Sequence, residues 1–187
     1  KAVELSIIIL SYNTKDITLE AIKSVEENYP KEVESGKYEV IVTDNASPDG
    51  SLGAFKAYGK KTKIKSFYAI DNGGNIGFSA GNNKGVPYAH GKFVLFLNPD
   101  TIVYPKTLTH MIDFMESHPK VGAASCKLIN KDGAIDFNCH RGFPTPWNAF
   151  CFFSGLQRAF PKSRLFAGYT QGWKDLDTTH EVDSLEG

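Results

Sequence analysis

The chain has 187 residues, of which 41% are hydrophobic and 22% are charged, and its 21 basic and 21 acidic residues balance to a formal net charge of zero. This composition is typical of a globular protein, and the neutral balance excludes broad electrostatic capture of nucleic acid. No apolar stretch is long enough to span a bilayer, the first residues lack the pattern of a signal peptide, and the three widely spaced cysteines do not form a metal knuckle.

Two apolar runs in the first part of the chain predict parallel strands. Leu5 to Leu10 (LSIIIL) has the composition of a buried strand, and a helix is predicted from about Ile17 to Asn28, where apolar residues recur at helical spacing. Tyr38 to Val42 (YEVIV) is the next strand, and it leads into Thr43-Asp44-Asn45. Because strands alternate with helices, we expect parallel strands joined by right-handed crossovers.

A turn, a short helix and a half-exposed strand follow. The sequence ASPDGS favours a chain reversal, after which Gly50 to Tyr58 is a predicted helix. Lys63 to Ile70 alternates between apolar and polar residues, which is typical of a half-exposed strand. A further helix is predicted over Phe78 to Ala89, shortened or kinked by Pro87.

The loop from Asn72 to Gly85 (NGGNIGFSAGNNKG) contains five glycines and four asparagines. Glycines permit a close approach of the backbone to a ligand, and the N-terminus of the helix that follows suits phosphate. The spacing matches neither a Walker loop nor a dinucleotide fingerprint.

The run FVLFL is followed by Asn98-Pro99-Asp100, and five consecutive apolar residues predict a strand that is buried on both faces. Pro99 cannot continue a central strand, so Asp100 follows the carboxyl end of the strand, where open α/β sheets bind ligands. We expect Asp100 to hold a divalent cation against a diphosphate, with Asn98 offering a neutral oxygen. The alternative for Asp100 is helix capping.

The last third of the chain is less regular. A helix is predicted from Lys106 to Ser117, a strand from Val121 to Ile129 and a hairpin turn over Asn130 to Gly133. From Arg141 the chain is rich in aromatic residues with no clean period. We expect this segment to be an extension packed on the core, with a lid or cleft as the alternative.

The loops that leave the carboxyl ends of the strands contain Tyr12, Asp44, the glycine loop and Asp100, and the predicted topology gathers them around one crevice. Tyr12 can pack on a nucleobase, or it can be an ordinary packing or surface residue. Asp44 can accept hydrogen bonds from a base imide or a ribose hydroxyl, or it can cap a helix or shape a turn.

Four segments in this order, LSIIILSYNT, VTDNASPDGS, NIGFSAGNNKG and FVLFLNPDTIV, resemble the pattern of glycosyltransferase family 2, the inverting GT-A transferases. The resemblance is close over about Leu5 to Val103. It implies an α/β fold with a Rossmann-like, mostly parallel sheet and helices on both faces, plus an irregular aromatic-rich C-terminal extension. It also implies a nucleotide-sugar-binding core over 1–130 and the start of an acceptor-side region, apparently truncated, over 131–187.

The resemblance also implies roles for single residues on the donor side. Tyr12 and Asp44 would contact the base and the ribose of the donor. Asn75 and Gly77 would border the nucleotide and its diphosphate. Asp100 would be the metal-contacting acid of the family's Asp-x-Asp position.

Two departures from the family pattern concern the metal and the catalytic base. Asn98 stands where the family has its first acid, a feature that resembles the branch including rhamnosyltransferases of surface polysaccharides. EVDSLEG resembles the start of the acceptor-side motif, so Asp183 would line the acceptor side. The family places its base some tens of residues further on, so we expect the base beyond Gly187 and name no catalytic residue.

The function implied is an inverting glycosyltransferase, hexosyl- or rhamnosyl-specific, that depends on Mg²⁺ or Mn²⁺. It would transfer a sugar from a UDP- or dTDP-sugar to a hydroxyl of a saccharide or lipid-linked acceptor in surface polysaccharide synthesis. The family often works in the cytoplasm at the inner face of the membrane, so peripheral association is expected and a nucleic-acid partner is not. The alternative is a nucleotide-sugar-binding module that lacks the base and does not turn over.

Overall fold

The structure is a computed structural model that describes residues 2–136 and 141–185. The chain divides into two compact units, residues 1–112 and 113–187. The boundary that the sequence predicts at residue 130 separates donor-side and acceptor-side functions, and it stays a prediction.

A four-stranded parallel sheet with the order β3-β2-β1-β4 is the centre of the first unit. Its strands are β1 (Leu5–Ser11), β2 (Tyr38–Asp44), β3 (Phe67–Asp71) and β4 (Phe93–Leu97). The helices along residues 1–117 are α1 (Lys15–Asn28), α2 (Pro30–Ser35), α3 (Ser51–Gly59), α4 (Phe78–Asn83) and α5 (Thr107–Ser117). The predicted parallel α/β fold is confirmed.

Helices cover both faces of this sheet, as predicted. On one face Ile7 and Ile9 of β1 are completely buried in one apolar cluster with Ile22 of α1 and Phe55 of α3. On the other face α4 packs on β1 and β2. The alternation of side chains along each strand therefore puts apolar residues into two cores, which explains why β1 and β2 read as continuous apolar runs.

The prediction that FVLFL is buried on both faces is wrong. Leu97 of β4 is buried in the apolar cluster, but Val94 and Phe96, on the opposite face, are 43% and 46% exposed. β4 lies at the edge of the sheet, and the helix on this face, α4, packs on β1 and β2. An apolar run predicts a strand, but it does not show whether a helix packs on each face of that strand.

The predicted strand over Val121–Ile129 is also absent from the structure, which has an isolated bridge between Ile129 and Ile135 instead. The hairpin turn that follows is confirmed, since the Gly133 N–H bonds the Asn130 carbonyl at 2.9 Å and Gly133 has φ 83°. A strand requires a partner backbone along its whole length. Here the ladder is limited to the residues beside the turn.

Two short helices near prolines refine the prediction. Pro87 shortens the predicted helix over 78–89, because α4 ends at Asn83 and a separate 3₁₀ turn spans Val86–Tyr88. The helix α2 was not predicted. It begins with Pro30, a residue favoured at the first helical position, and Gly36, which takes the left-handed conformation, follows its last residue.

The second unit contains two further helices in the aromatic segment, α6 (Pro146–Phe153) and α7 (Leu156–Ala159). Thr145 caps the start of α6, because its side-chain oxygen accepts the Asn148 N–H at 3.2 Å, and Pro146 is the first residue of the helix. This is the usual start of a helix, and it was readable from Thr145-Pro146 despite the absence of a clean apolar period.

Candidate functional site

The carboxyl ends of the four strands lie in one row. Ser11 at the end of β1 is paired with Asp44 at the end of β2, and Asp44 is paired with Asp71 at the end of β3. On the other side of β1, Ile9 is paired with Leu97, the last residue of β4. β2 and β4 flank β1, so their ends are two strand spacings apart, about 10 Å. The sheet therefore brings the loops after Ser11, Asp44 and Leu97 to the same edge.

Ser47 joins the loop after β1 to the loop after β2. Its hydroxyl donates to Asp44 Oδ1 at 2.6 Å and accepts the Asn13 N–H at 2.9 Å, while its own N–H donates to Asp44 Oδ2 at 2.9 Å. Asn13 has φ 56°, a conformation that asparagine tolerates better than most residues. The network holds Tyr12, which is 48% exposed, beside the end of β2.

Asp44 is 1% exposed, and both of its carboxylate oxygens bond Ser47. This is the turn-shaping arrangement that the sequence left open as the alternative to ligand contact. A carboxylate offers about four acceptor positions, so two remain. In this arrangement Asp44 positions the loop that carries Tyr12, and its direct contact with a nucleotide stays a prediction.

Asn45 fastens the glycine loop to the end of β2. Its side-chain NH₂ donates to Asn75 Oδ1 and to the Gly77 carbonyl, both at 3.2 Å, and its Oδ1 accepts from Asn72 at 2.8 Å. Gly77 has φ 87° and ψ 175°, which favours glycine. Asn75 and Gly77, both predicted site residues, therefore lie beside Asn45, the residue that follows Asp44.

Close packing at Gly81 brings α4 down onto β1. A Cβ at this position would lie 2.6 Å from Leu10 Cδ1 and 3.0 Å from Asn45 Oδ1. The amide groups at the start of α4 have no side-chain cap. The glycines of the loop thus serve two purposes, a special backbone conformation at Gly77 and a close helix–sheet contact at Gly81.

The Asp100 segment is held in place at its far end. The Val103 N–H donates to Ser24 Oγ at 3.0 Å, and the Val103 carbonyl accepts from Asn28 at 2.9 Å, so α1 anchors the chain just after Asp100. Asp100 itself is exposed, and its carboxylate bonds no other described residue. Leu97 is buried at the near end. The Asp100 carboxylate is therefore exposed, in a segment that is anchored by Leu97 before it and by Val103 after it.

Asn98 and Asp100 are the residues that the sequence predicts to hold a divalent cation, and this role stays a prediction. Among the described residues no group of three His, Cys, Asp or Glu side chains comes together as a complete metal site. Mg²⁺ and Mn²⁺ are commonly held by one or two carboxylates, with phosphate and water oxygens as the other ligands. An exposed carboxylate two residues after an asparagine, just past the end of β4, has oxygen ligands of this kind.

Asp183 belongs to the second unit. Its Oδ2 accepts from Gln171 Nε2 at 2.6 Å, and the neighbouring Ser184 N–H bonds the Arg141 carbonyl at 3.1 Å. Gln171 is buried and has φ 49°. Asp183 is thus fixed by a hydrogen bond within its own unit, and its acceptor-side role stays a prediction.

Two residues that connect the loops at the carboxyl edge of the sheet, Ser47 and Asn45, were not singled out in the sequence. They lie three residues and one residue after Asp44 in the segment VTDNASPDGS, which predicts a turn but does not show which distant loop each side chain reaches. Asn45 is 2% exposed, so the signal was a polar residue at the end of a buried strand. Such a residue needs partners, and here the glycine loop supplies them.

A family model described as "Glycosyl transferase family 2" matches residues 6–173. The chain belongs to this family. The match includes both the sheet edge described above and most of the second unit, so the resemblance read from the four sequence segments is confirmed at the level of the family.

Similar proteins agree with this assignment. The minor teichoic acid biosynthesis protein GgaB of Bacillus subtilis is 30% identical over 115 residues, which cover 62% of this chain and 12% of GgaB. The crystal structure of Staphylococcus aureus TarS 1–349 is 26% identical with a TM-score of 0.52, covering 62% of this chain and 33% of TarS. The chain thus spans about an eighth of GgaB and a third of the solved TarS chain.

A third similarity supports the fold alone. The mannosyltransferase PcManGT of Pyrobaculum calidifontis, solved in complex with GDP-Man and Mn²⁺, has a TM-score of 0.61 at 23% identity, covering 70% of this chain and 36% of PcManGT. The glycosyltransferase GT-A fold predicted from the sequence is confirmed. No helix among the described residues is long and apolar enough to cross a membrane.

Proposed function

We propose that this chain binds the nucleoside diphosphate of a sugar donor at the carboxyl edge of its sheet. The protein would transfer the sugar, with inversion, to a hydroxyl of a saccharide or lipid-linked acceptor in surface polysaccharide synthesis. The observation that carries the proposal is the pair of connectors, Ser47 and Asn45, which hold Tyr12, Asn75 and Gly77 around the end of β2. Family membership and the similarity to a teichoic acid biosynthesis protein support the reaction class.

Each donor-side residue has one role in this proposal. Tyr12 is half exposed and offers an aromatic face to the base. Asp44, which is 1% exposed, holds the Tyr12 loop through Ser47, and the remaining acceptor positions of its carboxylate would bond the base imide or ribose. Asn75 and Gly77 border the diphosphate, where the special backbone conformation of Gly77 permits a close approach.

Asn98 and Asp100 would hold Mg²⁺ or Mn²⁺ together with the diphosphate. When bound, such an ion offsets the negative charge that develops on the leaving nucleoside diphosphate. On the acceptor side Asp183 would line the site, and the base that deprotonates the acceptor hydroxyl is assigned to no residue of this chain.

The donor is proposed to be a UDP- or dTDP-sugar. Asn98 in place of the family's first acid supports the rhamnosyl-like branch and hence dTDP, whereas the similarity to TarS, which has been solved with UDP-GlcNAc, supports UDP and a hexosyl donor. The protein would act in the cytoplasm, at the inner face of the membrane. A competition series of UDP, dTDP and GDP against one labelled nucleotide orders these donors directly.

The test is calorimetric titration of the chain with UDP, dTDP and GDP, with and without Mn²⁺, for the wild type and Asp100→Ala. We expect Mn²⁺-dependent binding that Asp100→Ala weakens by on the order of tenfold or more, since an interaction with a charged group contributes about 1.5–3 kcal/mol. Asp113→Ala, which also removes an exposed acid, is the matched control and should leave the affinity unchanged.

Two results separate the proposal from its alternatives. If no nucleotide binds with Mn²⁺ present and Asp100→Ala changes nothing, the proposed site is wrong. If a nucleotide binds but the protein transfers no sugar from any donor to a saccharide or lipid-linked acceptor, the chain is a nucleotide-sugar-binding module without turnover.

A further inference from the structure

The segment 137–174 in the second unit has a marked charge asymmetry. It contains none of the 21 acidic residues of the chain and five of its 21 basic ones. The chain as a whole is electrically neutral, so this segment is a local cationic region in a balanced protein. Such a region attracts an anionic partner.

Aromatic side chains in the same segment are exposed instead of buried. Trp147 and Phe150 of α6 are 46% and 55% exposed, and Phe160 and Leu165 are 53% and 60% exposed. Only Cys151 of α6 is fully enclosed. The four aromatic side chains of α6 are therefore all about half exposed or more, and a cluster of exposed apolar side chains is typical of a binding surface.

Ring contacts gather these side chains into one surface. Trp147 stacks on Phe150 with ring centroids 5.6 Å apart and contacts Phe166 at 6.3 Å, and Phe166 contacts Phe160 at 5.5 Å. The Trp147 indole N–H also donates to the Leu165 carbonyl at 2.8 Å. The helix α6 and the turn over 160–166 are thus held together.

Basic side chains lie within that same turn. Lys162 and Arg164 are exposed, and neither forms an ion pair with any described residue. They stand between Phe160 and Leu165 in the sequence, so cations and apolar groups alternate along the turn. We call Trp147, Phe150, Phe160, Lys162, Arg164 and Leu165 the aromatic-basic surface.

We propose that the aromatic-basic surface docks on a bilayer that contains anionic phospholipid. Aromatic rings settle at the level of the lipid headgroups, where one side is apolar and the other wet, and lysine and arginine beside them pair with anionic headgroups. The unpaired cations supply the charge complementarity, and the exposed rings supply the apolar area. This inference rests on the proposed location at the inner face of the membrane, and it concerns a surface other than the proposed donor site.

The test is sedimentation of the purified chain with vesicles of phosphatidylcholine alone and with about one third phosphatidylglycerol, without nucleotide, so that failure of donor binding cannot affect the result. We expect binding to the anionic vesicles that weakens as NaCl rises from about 0.1 M to about 1 M, where the Debye length falls from about 10 Å to about 3 Å. The two tryptophans of the chain are Trp147 and Trp173, so Trp173→Phe leaves Trp147 as the sole reporter. Its fluorescence should be quenched by brominated lipid chains.

Charge-reversal variants locate the surface. Lys162→Glu/Arg164→Glu should weaken binding to anionic vesicles by about 30-fold or more, the loss expected for two cations near anionic headgroups. The matched control Lys56→Glu/Lys60→Glu reverses two exposed lysines of the first unit and should bind as the wild type. Leu165→Ser should weaken binding in the same assay, whereas Ile129→Ser, at an equally exposed apolar residue, should not.

Several outcomes would overturn the proposal. One is equal binding of wild type and the Lys162/Arg164 variant to anionic vesicles, and another is unquenched Trp147 in bound protein. A third is concentration-dependent dimerisation that Leu165→Ser abolishes, because the surface would then be covered by a second copy. A fourth is preference for single-stranded RNA over anionic vesicles in direct competition.

Discussion

The first unit encloses whole side chains of β1, β2 and the helices above them, including Ile7, Ile9 and Phe55, which have no exposed surface. In the described part of the second unit, the fully enclosed side chains are those of Cys151 and Ala167, with Gln171 nearly so. The first unit therefore has a true apolar core. The second is arranged around small residues, with its large aromatic side chains mostly on the outside.

The second unit is held instead by individual directional and close contacts. Asn148 donates from its side chain to the Phe143 carbonyl at 2.8 Å, and Gly142 lies so close to Gly168 that a Cβ would approach the Gly168 carbonyl to 2.1 Å. The stability of an apolar core comes from many weak contacts. In the second unit each hydrogen bond or close backbone contact contributes a larger share of the stability. Substitutions should accordingly act by different routes in the two units.

The largest effect is expected in the core of the first unit. Ile9→Ala removes a side chain that has no exposed surface, and an Ile→Ala change of this kind lowers the free energy of unfolding by about 2–5 kcal/mol. Urea denaturation followed by far-UV circular dichroism measures it. The counterpart in the second unit, Phe153→Ala, removes a larger side chain that is 85% exposed, and its effect should stay within about 0.5 kcal/mol. Equal losses for both variants would contradict the contrast between the units.

The next effect concerns the connector between the loops of the first unit. Ser47→Ala removes a hydroxyl that bonds the buried Asp44 carboxylate and the Asn13 N–H, and a hydrogen bond to a charged group contributes about 1.5–3 kcal/mol. Chemical denaturation should show this loss, and nucleotide binding should weaken because the Tyr12 loop is released. Ser35→Ala, at an exposed helical serine, is the control with an expected change within about 0.5 kcal/mol. If Ser47→Ala changed neither the free energy of unfolding nor the nucleotide affinity, Ser47 would not connect the two loops in the way proposed.

A substitution at Gly142 tests the second unit in turn. A Cβ there meets backbone that cannot rotate aside, so Gly142→Ala should cost about 1–3 kcal/mol, as overpacking does. Both tryptophans lie in the second unit, so tryptophan fluorescence follows its unfolding separately. Gly122→Ala, where a Cβ would meet nothing within 4 Å, is the control. A fluorescence transition at the wild-type denaturant concentration in Gly142→Ala would show that the close contact yields easily.

The same contrast explains what the sequence predicted. β1 and β2 were predicted because long apolar runs flanked by helical periodicity leave few alternatives, and the edge position of Asp44 and Asp100 followed from the parallel topology. The exposure of Val94 and Phe96 was not predicted, since an apolar run does not tell which helices cover each face. Local patterns predict strands and helices, whereas the burial of each strand face depends on how the helices pack in the complete fold.

The polar connectors were missed for a related reason. Asn45 reaches Asn75 and Gly77 across a long stretch of sequence, and no local pattern marks such a pair. The strand over Val121–Ile129 was predicted but does not form. Its local pattern suits a strand, but its backbone has no pairing partner beyond the residues beside the turn. In both cases the outcome depends on contacts between residues that are far apart in the sequence, which no local pattern predicts.

The smallest expected effect is a change in the pKa of one acid in each unit, Glu26 in the first and Asp177 in the second. Burial raises the pKa of Glu26, but hydrogen bonds from the Tyr58 hydroxyl and the Lys63 N–H outweigh burial, so the net pKa is lowered. The exposed Asp177 has its pKa lowered by its hydrogen bond to Lys127 and by the charge of that lysine. A folded-state pKa below the unfolded value stabilises the protein above the ordinary pKa of the acid. That stabilisation is lost as the pH falls through the lowered value.

Salt should separate the two acids. In about 1 M NaCl, where the Debye length is about 3 Å, the pKa of Asp177 should return toward its ordinary value, while that of Glu26 should move little because its main partners are uncharged donors. Titration of the carboxyl carbons by NMR measures both. Tyr58→Phe should raise the pKa of Glu26 alone, and Lys127→Gln should raise that of Asp177 alone. Equal salt shifts for the two acids would mean that charge, and not the donated hydrogen bonds, lowers the pKa in the first unit as well.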